Sequence, residues 1–174
     1  MTTDPGQTAG SDRSRSTIAV HGLFEVHLAV ADVDRAIAFY RDIVGLRVAH
    51  VEAVREVAFF WTGPPGTGML GLWSAGPGPH RTTSHTAFTV SLRDVLVAPA
   101  ALRAAGVTPL DFDGRETDEP TVFGWMPAAS VYFRDPDGHL LEYIAMLPHE
   151  PRPECGILPW RIWEHLHVPV SSRI

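Results

Sequence analysis

One order of elements, β-α-β-β-β, can be read twice along these 174 residues. His27-Leu28-Ala29-Val30 and His85-Thr86-Ala87-Phe88 hold the same place in the first strand of each copy, 58 residues apart (27 to 85). Each precedes a helical pattern closed by a glycine, Gly45 and Gly106. Self-similarity at a fixed spacing specifies architecture, because each copy is one unit that needs a neighbour to bury its apolar face. The repeat predicts an α+β chain of two βαβββ modules with a pseudo-symmetric site between them.

In the first copy, residues 23–30 alternate as a strand. Phe24, Val26, Leu28 and Val30 share one face; Glu25, His27 and Ala29 share the other. Asp32 is an N-cap candidate. Val33, Ala36, Ile37, Tyr40 and Val44 recur at helical spacing, and Gly45 closes the helix. Three strands are expected at 46–53, 57–62 and 68–73. In the second copy a strand opens at 84–90, and Ser91 with Asp94 gives a capping signature. Pro99 breaks a helix or starts one, which puts the main helix at 99–105. A short strand at 107–110, an acidic loop at 111–120 and a strand at 122–126 follow. A hairpin spanning 131–146 ends the module.

These readings divide the chain into a tail (1–17), a first module (18–75), a linker with Gly76-Pro77-Gly78-Pro79 (76–83), a second module (84–147) and a C-terminal extension (148–174), one domain overall. The tail has too little apolar surface to offset its ordering entropy and is expected to be disordered. In the extension, Trp160 and Trp163 share a face of a short amphipathic helix. That helix is expected to dock on the domain or a partner subunit; a substrate lid is the alternative.

Composition narrows the partners. Net charge is -6 with no basic stripe, which argues against nucleic acid. The single cysteine, Cys155, forbids an intrachain disulfide and suits a reducing cytoplasm. No apolar run reaches about 18 residues and no signal peptide is visible, so no membrane span is expected.

The chemistry converges on the hairpin. Asp135-Pro136-Asp137-Gly138 is a turn sequence: proline presets φ, and glycine accepts the positive φ that closes it. The strand beyond it carries Glu142 among Leu140, Leu141, Tyr143 and Ile144. A buried carboxylate is costly unless paired, and Arg134 or Arg47 can supply an ordinary ion pair. Alternation gives another partner set. With helices on the outer face, His27, His85 and Glu142 all point to the inner one. Two imidazoles and one carboxylate form a divalent-metal set that leaves positions open. A histidine alone in a strand is more often a hydrogen-bonded core or surface group; the joint pattern favours the metal. Phe60, Trp61, Trp73, Phe123, Trp125 and Tyr132 are candidates to line the cup. Among them Tyr132 is the choice for a substrate hydrogen bond or acid/base role. The other seven histidines, among them His139, receive no role.

His27 with Ala31-Asp32-Val33-Asp34, Phe39-Tyr40 and Gly45-Leu46, then His85, then residues 132–139 and Glu142, resemble the vicinal oxygen chelate superfamily. That superfamily includes glyoxalase I, extradiol dioxygenases, fosfomycin-resistance thiol transferases and bleomycin-binding proteins. The resemblance covers residues 23–147. It implies a cupped, partly open mixed β-sheet barrel with helices outside, and metal ligation by His27, His85 and Glu142. It further implies a divalent ion (Fe, Mn, Ni or Zn), a small-molecule substrate and a homodimer, with the site either within one chain or shared so that one chain's His27 joins the other chain's His85 and Glu142. Glyoxalase I adds a carboxylate on the last strand of its first module. Here that position is expected at Leu70 or Leu72, leaving three protein ligands, as in the dioxygenases and fosfomycin enzymes. The fosfomycin enzymes' threonine is Ala29 here, and Asp118-Glu119-Pro120 is acidic where a phosphonate needs positive charge; Tyr132 matches a tyrosine of their site. Metal-dependent catalysis is the expected function. Metal-free sequestration and a structural zinc are the alternatives.

Overall fold

The structure, a computed structural model, describes residues 23–74 and 82–167. The expected tail and most of the expected linker lie outside them. The first module is β1 (Glu25–Val30), α1 (Val33–Asp42), β2 (Arg47–Glu52), β3 (Val57–Trp61) and β4 (Met69–Ser74); its sheet runs β1-β4-β3-β2, with β1 and β4 parallel. The second is β5 (His85–Thr89), α2 (Leu92–Ala104), β6 (Thr121–Phe123), β7 (Ala128–Arg134) and β8 (Leu140–Met146). Its sheet runs β5-β8-β7-β6-β9, the last strand coming from the C-terminal segment. The two mixed sheets with their helices form the expected α+β pair of βαβββ modules, open and not closed into a barrel.

Local chemistry starts and stops these elements. Asp32 caps α1 by accepting from the Arg35 N–H at 2.9 Å. Gly45 (φ 82°) turns the chain out of the helix, and the Leu46 N–H returns to the Tyr40 carbonyl at 2.9 Å. One apolar core spans both modules. Leu28, Val30, Tyr40 and Phe60 of the first pack in the same cluster as Val95, Phe133 and Leu141 of the second.

Three expectations are corrected. The helix placed at 99–105 is α2, Leu92–Ala104, with Pro99 inside it. An interior proline costs about 3 kcal/mol, but Ser91 caps the helix and Val95, Ala98, Pro99 and Leu102 are buried. Burial at about 1.5–3 kcal/mol per large side chain offsets the proline. Residues 107–110 form no strand; only Leu110 bridges, to Glu116 and Tyr132. Pro109 has no N–H for a ladder. The strand expected at 122–126 is Thr121–Phe123. It ends because Gly124 turns to meet the C-terminal segment, donating to Gly156 O at 2.8 Å and accepting from Arg152 N at 2.7 Å. That segment adds β9 (Ile157–Pro159), antiparallel to β6. It continues into α3 (Trp160–His167), where Trp163 is fully buried. The extension is thus a docked element.

The Asp-Pro-Asp-Gly turn does more than turn. Asp135 Oδ2 accepts from the Tyr40 hydroxyl at 2.8 Å, and its Oδ1 accepts from the N–H groups of Asp137 (2.9 Å) and His139 (2.8 Å). Asp137 Oδ1 accepts from Ala31 N and from Arg35 Nη2, each at 3.0 Å. His139, 2% exposed, accepts at Nδ1 from Ser84 N (3.1 Å) and donates from Nε2 to Ala29 O (2.9 Å). Donor and acceptor roles fix it as one neutral tautomer. His139 therefore has a role: with the two aspartates it fastens the start of β8 to the end of β1.

Candidate functional site

Alternation carries the polar side chains to one face. In β8, Leu141 and Ala145 are buried in the core, while Glu142 lies on the opposite face, opposite Tyr132 of β7 and level with Ala87 of β5. The Glu142 carboxylate is held at both ends. Ser130 Oγ donates to Oε1 at 2.5 Å, and His85 Nε2 lies 3.0 Å from Oε2. The Glu142 side chain is 6% exposed; that of His85 is 49% exposed, so the pair opens on its histidine side. The Tyr132 ring lies 5.9 Å from the His85 ring. Burial, and then the Glu142 carboxylate, push the Tyr132 phenol well above its ordinary range, so it keeps its proton and can offer a hydrogen bond at neutral pH.

His27 sits in a different cluster. Its Nε2 is 3.4 Å from Glu25 Oε1, and the Trp73 indole N–H donates to its Nδ1. Phe59 meets the His27 ring edge-on at 5.9 Å, and the Arg55 guanidinium stacks 4.9 Å over Trp73. Among the described residues no group of three or more His, Cys, Asp or Glu side chains stands ready for a metal. One chain thus joins His85, Glu142 and Tyr132 and keeps His27 apart from them. An open cleft of about 360 Å³ lies between β1 and β5, lined by Glu25 and His85 among others.

Register corrects the assignment of the missing carboxylate. In module two the histidine strand pairs Ala87 with Glu142; in module one it pairs Ala29 with Trp73. Trp73 therefore stands where module two has Glu142. Leu70 and Leu72 are fully buried in the core. The aromatic lining is corrected in the same way. Phe60 is fully buried in the core and Phe59 is the ring beside His27, while Trp125, 61% exposed, lies in the turn after β6. Glu142 takes neither Arg134 nor Arg47 as partner; Arg134 donates to Gly138 O. Ser130 and Glu25 were missed. Alternation offered both signals, since Ser130 shares a face with Tyr132, and Glu25 with His27.

The donors fit a divalent cation in kind. An imidazole nitrogen and a carboxylate oxygen already stand 3.0 Å apart on one open face, the ligand types a borderline metal selects. A third donor must come from elsewhere.

Residues 22–143 match the model of the Glyoxalase/Bleomycin resistance protein/Dioxygenase superfamily, and the chain belongs to that superfamily. Among solved structures, an integron cassette protein, HFX_CASS4, from the mobile metagenome of the Halifax Harbour sewage outfall is 29% identical (TM-score 0.62), covering 73% of this chain and 100% of that one. The oxidase ChaP-H2 is 25% identical (TM-score 0.60), covering 79% and 100%. The fosfomycin resistance protein FosX from Listeria monocytogenes, solved with Mn(II) and sulfate, is 24% identical (TM-score 0.54), covering 75% and 94%. That last likeness is one of fold.

Proposed function

We propose that the chain is a divalent-metal-dependent enzyme of the cytoplasm. It acts on a small oxygen-rich or aromatic molecule that offers two neighbouring oxygens. His85 and Glu142 of one chain, with His27 of a second copy, are the ligands, and Tyr132 is the hydrogen-bond donor to a substrate oxygen. The observation that carries the reading is the His85–Glu142 pair, a buried carboxylate aimed at a half-exposed imidazole. A bound Fe, Mn, Ni or Zn ion would supply a Lewis acid for the two substrate oxygens. Ser130 holds Oε1 and leaves Oε2 directed at the open side. The superfamily relation and a FosX fold solved with Mn(II) support the metal. They leave dioxygenation, lyase chemistry and thiol transfer equally open, because one fold hosts many reactions.

Mn(II) titration, with the free ion followed by its EPR signal, tests this. Wild-type protein takes up Mn(II), and Glu142→Gln loses uptake. Ser130→Ala weakens it by about 10- to 100-fold, as removal of a group that orients a ligand does. Unchanged uptake in Glu142→Gln contradicts the reading. One observation favours a second reading, a metal-free small-molecule binder. The Trp73 N–H satisfies His27 without any metal, and Phe59 and Trp73 form an aromatic wall beside it. Binding of a small aromatic ligand that persists fully in chelator selects that reading.

A further inference from the structure

We infer that Glu25 is a fourth protein ligand of the metal, delivered from β1 in place of the carboxylate that β4 lacks; the inference rests on the metal reading of the site. Trp73 occupies the position in register with Glu142, so β4 brings no acid to the first half-site. Glu25 brings one from the neighbouring strand. Residues i and i+2 of a strand share a face, so Glu25 and His27 project together, with Oε1 3.4 Å from Nε2.

Two donors on one ion, at bonds of about 2.0–2.1 Å, stand roughly 3.0–3.4 Å apart. The His85–Glu142 pair at 3.0 Å and the His27–Glu25 pair at 3.4 Å both have that spacing. The molecule thus carries one imidazole–carboxylate pair per module, built differently. In module two the acid comes from the strand next to the histidine; in module one it comes from the histidine strand itself. The Glu25 side chain is 34% exposed and that of His27 40%, so both are open to an incoming ion. His27 is the one ion-pair partner of Glu25 among the described residues. The Trp73 N–H on Nδ1 puts the imidazole proton on Nε2, facing Glu25. Ligation through Nε2 needs that proton on Nδ1, which ends the Trp73 hydrogen bond; Trp73 emission therefore reports loading.

The experiment is Mn(II) titration of full-length wild type, Glu25→Gln and Glu142→Gln, read by EPR and by indole emission, with melting temperatures taken without metal. The expected result is that Glu25→Gln melts like wild type yet binds Mn(II) at least about tenfold more weakly. If Glu25→Gln stays within about threefold of wild type, a difference under 1 kcal/mol, while Glu142→Gln loses uptake, Glu25 is a surface ion pair only: the inference falls and the metal site stands. If wild type takes up no Mn(II), both fall.

Discussion

Three tyrosines occur in the chain, and each phenol is raised by burial. Tyr143 is pushed up to about 12, with its hydroxyl donating to Ile43 O at 3.3 Å. Tyr40 goes higher, because its burial is joined by the Asp135 carboxylate. The folded state therefore keeps protons that the unfolded chain releases near pH 10. That contribution to stability is fully present below about pH 10 and is lost as pH rises through the folded values. In Tyr132→Phe protein, absorbance at 295 nm stays flat through about pH 10, where an exposed phenol is half ionised; a phenol titrating there contradicts the burial described. Tyr40→Phe removes a hydrogen bond to a charged acceptor and costs about 1.5–3 kcal/mol in urea denaturation, at the lower end because Asp135 keeps two backbone donors. Residue-level reading succeeded where the cause is local. Alternation alone sets the faces of His27, His85 and Glu142. It failed where the cause is register. Which of Leu70, Leu72 and Trp73 pairs with Ala29 depends on a strand more than forty residues away, and the partners of His139 lie in the other module and just ahead of β5.

Elements follow a similar division. Helix α1 was legible because Asp32 and Gly45 mark its two ends in the sequence itself. Helix α2 is legible only in part because Pro99 is a local breaker, and only the core shows what outweighs it. Strand β9 has three residues and ends in proline; no periodicity can reveal so short a strand, and β6 alone makes it one. The joint between β6 and the C-terminal segment tests this account of the element. A Cβ on Gly124 meets the Arg152 carbonyl oxygen at 2.3 Å and the Gly156 oxygen at 3.0 Å. Both are backbone atoms and cannot swing aside. Gly124→Ala is therefore expected to cost about 1–3 kcal/mol through overpacking and to shift the emission of Trp163, whose indole N–H donates to His149 Nδ1 at 3.0 Å. Wild-type stability in that variant contradicts the close approach.

At the scale of the molecule, the repeat proved the most legible feature, since two copies of one element order specify two sheets without any long-range contact being known. What holds the modules together was not legible. Asp135 and Asp137 read as turn residues and His139 as a residue without a role, and only the folded chain shows them reaching α1 and β1. No helix among the described residues is long and apolar enough to cross a membrane. Strands β1 and β5 are each the edge of their sheet, and each carries one of the two histidines of the proposed site, which leaves both open to a second copy. In the proposed site the two histidines meet between chains. Mixing His27→Ala with Glu142→Ala protein, after unfolding and refolding together, tests that most directly. Each variant alone takes up no Mn(II). Random pairing makes half the dimers mixed, each with one intact site, so about a quarter of wild-type Mn(II) uptake returns. No recovery from a mixture shown to contain mixed dimers contradicts a site shared between chains.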